Sequence, residues 1–211
     1  ANVWNSDTRL QLRFMNDTTY VASLFGYITH VDADVFSNSS DVSFTIECED
    51  PFLRSTTETD LSSGIQPTST VTHTYFNGIT YEVQSAFSCT DNKSTAPHGF
   101  KFTAECISVP PSSETEPEKF IVWDNRNPLY YIFASTDNFQ VGDVIHFSSE
   151  EDDRYLYNVR TTIGGTSYRQ MINRIYWGSI WPMISPGENF IEVSEGFKLT
   201  TVSHRESYWG I

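Results

Sequence analysis

The sequence predicts an all-β protein whose larger part is a two-sheet antiparallel β-sandwich, closest to a jelly roll. Aromatic residues make up 15% of the 211 residues, and together with abundant Val and Thr and few helix formers they favour sheets. Many short runs alternate apolar and polar residues, which is the pattern of half-buried strands. Turn signals such as Gly164-Gly165 and Pro186-Gly187 separate these runs, as expected for sandwiches.

The last third of the chain shows this pattern most clearly. Residues 144–147 and 155–161 alternate as strands, and Gly164-Gly165 between two such runs is typical of a hairpin. Strands are also expected at residues 190–193 and 198–203. One helical turn is predicted within residues 167–176, because Met171, Ile172 and Ile175 fit one helix face.

Strands are predicted along the rest of the chain as well. Upstream of the last third they are expected at residues 10–14, 20–31, 42–48, 71–75, 79–87, 100–109, 120–124 and 129–134. Residues 110–118, rich in Pro and Glu, are interpreted as an exposed acidic loop.

A polar stretch at residues 55–70 is the best candidate for a domain boundary. We therefore predict a first domain at residues 1–63 and a β-sandwich at residues 64–211. The first domain holds only about three strands, which bury too little apolar area for stability on their own. We expect it to be part of a module that is completed by further sequence or by a partner.

The chain carries a formal net charge of −14 and has a sequence pI of about 4.6. This charge argues against nucleic acid or an anionic membrane as the partner, although an acidic surface could meet a basic protein. No apolar run approaches the ~20 residues that span a bilayer, and no signal-peptide pattern opens the sequence. The sequence therefore predicts a soluble protein without membrane insertion.

The sequence shows no catalytic, cofactor-binding or metal-binding motif. It has no Gly-X-Ser-X-Gly elbow, and its five histidines stand singly, none at a metal-ligand spacing. We expect no cofactor, no metal and no enzymatic activity. The acidic run at residues 150–153 lacks the ligand pattern of a calcium loop and is interpreted as a solvated hairpin tip.

Three cysteines form neither a disulfide framework nor a metal motif. Cys106 alternates with apolar residues and is interpreted as a buried small hydrophobe, while a bridge between Cys89 and Cys106 stays open. Among the aromatic residues, Trp177 and Trp181 are interpreted as core or interface packing. Trp181, which precedes a proline, is predicted to be a buried plug of the sandwich.

A sugar-binding site would need a tryptophan flanked by polar side chains. The one local cluster of this kind comprises Trp123, Asn125 and Arg126. These three residues are the candidate glycan-binding residues.

Several stretches resemble, in the same order, parts of the distal tail proteins (Dit) of long-tailed, siphovirus-like bacteriophages. Residues 141–145, 178–184 and 186–191, with the closing residues 203–211, resemble the C-terminal half of these proteins. Residues 26–28, 34–37 and 44–52 resemble the end of the family's N-terminal belt domain.

The resemblance implies a structural virion protein at the phage tail tip or baseplate, and no catalytic residue. It implies a partial belt-type domain followed by a galectin-like sandwich, with belt domains forming a homohexameric ring. Such a hub connects the tail tube to tail-associated, baseplate or receptor-binding proteins, and the protein would be soluble in the host cytoplasm before assembly. The alternative is a carbohydrate-binding sandwich that aids adsorption to a host-surface glycan.

The family's belt domain begins before this chain does, which agrees with an incomplete first domain. Its strands are the candidate subunit interfaces, since exposed edges can pair with neighbouring subunits by sheet extension. The candidate interface residues are Leu10, Leu12 and Phe14 in one strand and Val42, Phe44 and Ile46 in another.

Overall fold

The structure is a computed structural model. It describes residues 10–16, 19–33, 42–48, 52–74, 80–110, 119–124, 131–135, 139–175, 177 and 179–209. The chain divides into two compact units, the first comprising Ala1–Thr57 with Glu206–Ile211 and the second Glu58–Arg205. No helix in the described part of the chain is both long and apolar enough to cross a membrane.

Sixteen strands account for the regular structure of these residues. They are β1 (Leu10–Asn16), β2 (Thr19–Ala33), β3 (Val42–Glu47), β4 (Phe52–Ser55), β5 (Thr59–Asp60), β6 (Ile65–Thr74), β7 (Thr80–Asp91), β8 (Phe100–Cys106), β9 (Lys119–Asp124), β10 (Tyr131–Ser135), β11 (Val144–Ser148), β12 (Tyr155–Thr162), β13 (Gly165–Gln170), β14 (Gly187–Ser194), β15 (Phe197–His204) and β16 (Ser207–Trp209). Two short 3₁₀ helices cover Ser62–Gly64 and Ile172–Arg174.

The first unit is a single antiparallel sheet with the strand order β1-β2-β4-β16, in which β3 also pairs with the long strand β2. The sheet approaches itself closely at Gly26, where an added Cβ would lie 2.6 Å from the carbonyl oxygen of Glu47. Of the residues in this unit whose burial is described, only Ala22, Ser23, Gly26 and Ser207 are buried. The described part of the first unit therefore has almost no apolar core of its own.

The second unit is a sandwich of two antiparallel sheets. One sheet has the order β10-β9-β14-β7-β6 and the other β13-β12-β11-β8-β15-β5. Side chains of β8 point alternately towards and away from the core. Phe100, Phe102 and Cys106 face the core, whereas odd-numbered residues such as Lys101 are less buried. Rings from the two sheets meet there: Phe120 of β9 lies 4.7 Å from Phe197 of β15 between ring centroids.

The core of the sandwich is therefore built mainly from phenylalanine and branched aliphatic side chains of both sheets. Its largest fully buried members are Phe87, Phe100, Phe120, Phe147, Phe197, Ile121, Ile145, Leu156, Met171, Ile184 and Ile191. The all-β, two-sheet antiparallel sandwich predicted from the sequence is confirmed.

The hairpin expected at Gly164-Gly165 is also confirmed, since Thr162 pairs with Gly165, which adopts a φ of 123°. The helical turn expected within residues 167–176 is limited to the 3₁₀ helix Ile172–Arg174. Residues 167–170 belong to strand β13 instead, because they continue the hairpin and pair with β12.

The two compact units divide within the polar stretch that suggested the boundary, between residues 57 and 58 rather than between 63 and 64. The closing residues 206–211 group with the first unit, because β16 pairs with β4. The expected domain limits of 1–63 and 64–211 stay a prediction. Most of the expected acidic loop, residues 111–118, lies outside the described residues.

Candidate functional site

The predicted interface residues lie on β1 and β3 of the first unit. We call the apolar side chains of these two strands the edge-strand surface: Leu10, Leu12, Phe14, Phe44 and Ile46. Val42 is part of β3, but its side chain lies outside the described residues. Strand β1 is the end of the described sheet order, and β3 pairs only with β2 among the described strands.

The two phenylalanines of the edge-strand surface are unusually accessible. Phe14 is 46% exposed and Phe44 is 54% exposed, whereas Leu10, Leu12 and Ile46 are half-buried. An edge strand presents backbone N–H and C=O groups that another chain can pair with, and exposed aromatic rings next to it add apolar area for contact. The arrangement can support sheet extension combined with apolar packing.

The candidate glycan residues are only partly described. Trp123 belongs to β9 and is 8% exposed, while Asn125 and Arg126 lie outside the described residues. A tryptophan that stacks on a sugar must present a ring face, and a side chain this buried presents little of it. The glycan-binding role of these three residues stays a prediction, and the burial of Trp123 does not favour it.

A row of aromatic rings lies on the outer face of the six-stranded sheet instead. Their positions follow from strand alternation, since Ile145, Phe147 and Leu156 of the same strands are buried. The row comprises His146, Tyr155, Tyr157 and Tyr168, with centroid separations of 4.8 Å for His146–Tyr157, 5.3 Å for Tyr155–Tyr157 and 6.4 Å for Tyr157–Tyr168. Tyr168 is 74% exposed, and we call this set the aromatic row.

Partial burial changes the ionisation of two members of this row. It lowers the pKa of His146, because the charged imidazolium loses solvation. It also raises the pKa of Tyr155, an effect that the nearby charge of Lys101 opposes. Both side chains are therefore neutral near pH 7, so the row presents flat, uncharged rings.

Three buried polar side chains converge at one end of the sandwich. Asp91 ends β7, His204 ends β15, and His98 lies between β7 and β8, where its backbone pairs with Ile184. The Nε2 atom of His98 lies 2.6 Å from Nδ1 of His204 and 3.7 Å from Oδ2 of Asp91. The two imidazole rings are stacked with centroids 4.9 Å apart.

We call Asp91, His98 and His204 the buried triad. Backbone groups orient two of its members. The carbonyl oxygen of Ala96 lies 3.2 Å from Nδ1 of His98, and the N–H groups of Lys93 and Ser94 donate to Oδ1 of Asp91. Burial alone would raise the pKa of Asp91, but these hydrogen bonds, with a smaller effect of His98 when that ring is protonated, lower it below its ordinary value. Asp91 is thus held as a carboxylate.

The sequence offered no sign of the triad, because His98 and His204 stand 106 residues apart. Spacing reveals metal or catalytic sites only when the ligands share one local element. Here the three side chains meet because the two sheets pack against each other, which brings the ends of β7 and β15 together.

The acidic run at residues 150–153 differs from the expected solvated tip. Glu150 is buried, and its Oε2 lies 3.0 Å from Nζ of Lys101, which also bonds Asp153 at 2.9 Å. Burial alone would lower the pKa of Lys101, but the two carboxylates outweigh it and raise the pKa above its ordinary value. Glu151, Asp152 and Asp153 are exposed, as a solvated tip predicts, although Asp153 pairs with Lys101; the interpretation is wrong for Glu150.

The remaining sequence interpretations concern tryptophans and cysteines. Trp177 is 94% exposed, so core packing is wrong for it, and interface packing stays a prediction. Trp181 is half-buried rather than fully buried: its ring lies 5.6 Å from that of Phe147, and the Arg154 guanidinium lies 5.8 Å above it. The three cysteines form no disulfide.

Comparison with solved structures relates this fold to phage tail proteins. The crystal structure of Dit from phage SPP1, a paradigm of the hub adsorption apparatus in phages that infect Gram-positive bacteria, matches with a TM-score of 0.51. The match covers 96% of this chain at 11% identity. The chain shares the SPP1 Dit fold. The likeness to distal tail proteins inferred from sequence motifs is confirmed at this level.

The chain spans 66% of the length of the SPP1 Dit chain. Two structures of the phage p2 baseplate in its activated conformation, with Sr and with Ca, match with TM-scores of 0.45 at 10% identity. These matches cover 93% and 94% of this chain and 67% of the baseplate chain. No protein-family model matches the sequence, and no curated protein matches it.

Proposed function

We propose that this protein is a structural component of a phage tail tip or baseplate, a hub that connects the tail tube to baseplate or receptor-binding proteins. The fold shared with SPP1 Dit supports this role. The observation that carries the proposal is the edge-strand surface, where apolar rings stand exposed beside strands that can accept a further strand.

The first unit supplies the physical reason for assembly. Its described residues bury little more than Ala22 and Ser23, while Phe14 and Phe44 remain about half exposed. Exposed apolar side chains gain roughly 25 cal/mol per Å² when another surface covers them. A neighbouring copy that adds a strand beside β1 or β3 covers these rings and also satisfies edge backbone groups. Repetition of one such contact around a closed axis gives a ring, and six copies is the number that the resemblance to distal tail proteins implies.

The test is the mass in solution of the full chain, measured by native mass spectrometry and light scattering over a range of concentrations. The expected species is a homohexamer. A variant carrying Phe14→Lys and Phe44→Lys is expected to be monomeric, since two buried unpaired charges would oppose the contact. The control is Thr45→Lys, which adds one of these two charges at the exposed position next to Phe44 but on the opposite face of β3.

Three results would bear on this directly. A hexamer that dissociates only in the double variant supports the proposal. A parent protein that stays monomeric at every concentration contradicts it, and so does a double variant that assembles as the parent does.

Carbohydrate binding is a second candidate function, because the aromatic row provides uncharged rings of the type that stack on sugars. Tyr168 presents most of its ring to solvent, and Tyr157 links it to His146. If the row binds host-surface glycans, Tyr168→Ala and Tyr157→Ala should abolish signals on a glycan array, whereas Trp177→Ala should retain them. Absence of any glycan signal from the parent protein excludes this function.

A further inference from the structure

The buried triad joins the two sheets of the sandwich at one end. Asp91 is the last residue of β7, which belongs to the five-stranded sheet, and His204 is the last residue of β15 in the six-stranded sheet. Asp91 is 6%, His98 5% and His204 4% exposed. One donor atom from each residue lies within 4.8 Å of the other two.

The hydrogen bonds of the triad leave one buried carboxylate oxygen without a donor. A carbonyl oxygen only accepts, so the contact with Ala96 places a hydrogen on Nδ1 of His98 and leaves the lone pair of neutral His98 on Nε2. Nδ1 of His204 can donate to that lone pair. Oδ2 of Asp91, however, is buried and has no hydrogen-bond partner among the described residues. A carboxylate oxygen and an imidazole lone pair thus converge, and a buried charge of this kind normally has a counter-charge or a metal.

We infer that Asp91, His98 and His204 bind one divalent transition-metal ion, with Zn²⁺ as the best-fitting ion. Two imidazole nitrogens and one carboxylate oxygen form a common donor set for zinc, with a fourth position left for water. The inference concerns a site within the sandwich and does not rest on the proposed role in the phage tail.

The three donor atoms lie within 4.8 Å of one another, so rotation of the side chains can bring them around one ion. Zinc–ligand distances of about 2.0–2.2 Å place ligand atoms of a tetrahedral site roughly 3.3–3.5 Å apart. The separation between His98 Nε2 and Asp91 Oδ2 is 3.7 Å, close to this value, while that between His98 Nε2 and His204 Nδ1 is 2.6 Å. Rotation of the imidazole side chains opens the latter contact by a fraction of an ångström.

The groups around the triad match the outer shell of a metal site. Metal-binding histidines usually donate their second ring N–H to a carbonyl or carboxylate, which fixes the tautomer. His98 makes this contact with Ala96, and the backbone N–H groups of Lys93 and Ser94 hold the other oxygen of Asp91. A metal held this way would tie β7, the β7–β8 connection and β15 together, so its role would be to stabilise the sandwich.

The test uses the full chain after removal of metals with a chelator. Zn²⁺ binding is followed by calorimetry, bound metal by mass spectrometry, and stability by thermal unfolding. We expect one Zn²⁺ per chain and a rise in Tm of about 5–10 °C at a free Zn²⁺ concentration 100 times the Kd. Co²⁺ should give the intense visible absorption of a four-coordinate site.

Two variants probe the ligands. Asp91→Asn keeps the oxygen that accepts from Lys93 and Ser94 but removes the second carboxylate oxygen, and His204→Gln removes one imidazole. Each should weaken Zn²⁺ binding by at least about 100-fold, more than the loss of an outer-shell partner. The metal-free Asp91→Asn protein should melt near the metal-free parent, which separates loss of binding from loss of fold. The control is His146→Gln, whose imidazole lies in the aromatic row and should not affect binding.

Several outcomes would overturn the inference. A metal-free parent that binds neither Zn²⁺ nor Co²⁺, Ni²⁺ or Mn²⁺ shows that the triad is only a hydrogen-bonded network that shares a proton. Binding that persists unchanged in Asp91→Asn and His204→Gln, or that disappears in His146→Gln, places the metal elsewhere.

Discussion

Asp143 is the buried charge whose replacement should reveal most about how the sandwich is held together. It precedes β11 and is 1% exposed. Arg160 donates from Nε to Oδ1 and from Nη2 to Oδ2, both at 2.7 Å, and Asn158 Nδ2 and the Gln140 N–H also donate to Oδ2. These bonds tie the start of β11 to β12. Asp143→Asn keeps the shape but removes the charge and turns an amide N–H₂ towards a donor.

The expected destabilisation follows from the bonds that are lost. A hydrogen bond to a charged group contributes about 1.5–3 kcal/mol, and breaking a buried ion pair costs about 3–5 kcal/mol. The Arg160 side chain is 24% exposed and can regain some solvation, so we expect a loss of about 2–4 kcal/mol. At an m-value of roughly 2 kcal/mol/M in urea, the unfolding midpoint should fall by about 1–2 M.

The effect should also depend on pH. Burial alone would raise the pKa of Asp143, but Arg160, Asn158 and the Gln140 N–H lower it below its ordinary value. A carboxyl group with a lowered folded-state pKa stabilises the protein above its unfolded pKa of about 3.9, and this stability is lost as the pH falls. The difference between parent and Asp143→Asn should therefore be full at neutral pH and shrink below pH ~4.

The assay is urea unfolding followed by tryptophan fluorescence and circular dichroism at several pH values. The matched control is Asp152→Asn, the same chemical change at the exposed tip of the β11–β12 hairpin, which should change stability by less than about 0.5 kcal/mol. An Asp143→Asn variant that unfolds at the parent midpoint, or a difference that grows as the pH falls, would refute the reasoning.

Two further predictions concern packing. Gly99→Ala should lower the free energy of unfolding by about 1–3 kcal/mol, because the new Cβ would lie 2.3 Å from the backbone nitrogen of Glu150. Its control is Gly164→Ala, in which the nearest atom to the new Cβ would be 3.7 Å away, so the Tm should match that of the parent. Trp181→Ala should cost about 2 kcal/mol, roughly half the value for a fully buried tryptophan, and Trp177→Ala should lie within about 0.5 kcal/mol of the parent in urea unfolding. Equal stability of the two variants within either pair would contradict these packing assignments.

Strand content was predictable from the sequence because alternation reports burial directly. In β8, residues 100, 102, 104 and 106 are apolar, and all four side chains are buried. For the tyrosines of β12 the alternation correctly predicts that they face away from the core. It does not predict which rings on neighbouring strands contact one another on the outer face. That depends on register, such as the pairing of His146 with Tyr157.

The buried charges were not predictable for a related reason. Glu150 lies in an acidic turn, and its sequence context predicts a solvated side chain. Its ion pair with Lys101 forms because β8 lies beside β11. His98 and His204 likewise meet only through tertiary structure. A polar residue in a turn is most often solvated, and sequence carries no local signal that a distant cation will cover it. Trp181 was predicted only in part. The following proline and the apolar neighbours indicated that its ring packs against the core, but they did not indicate the exposed fraction of the ring.

We propose that this chain assembles as a phage tail hub, and electron microscopy of the purified full chain tests this assembly most directly. Class averages of particles prepared above the association concentration should show a closed ring with six-fold symmetry. The Phe14→Lys, Phe44→Lys double variant should show single particles of the size of one chain. Images of the parent protein that show only isolated chains, or rings whose formation does not depend on these two phenylalanines, would contradict the account.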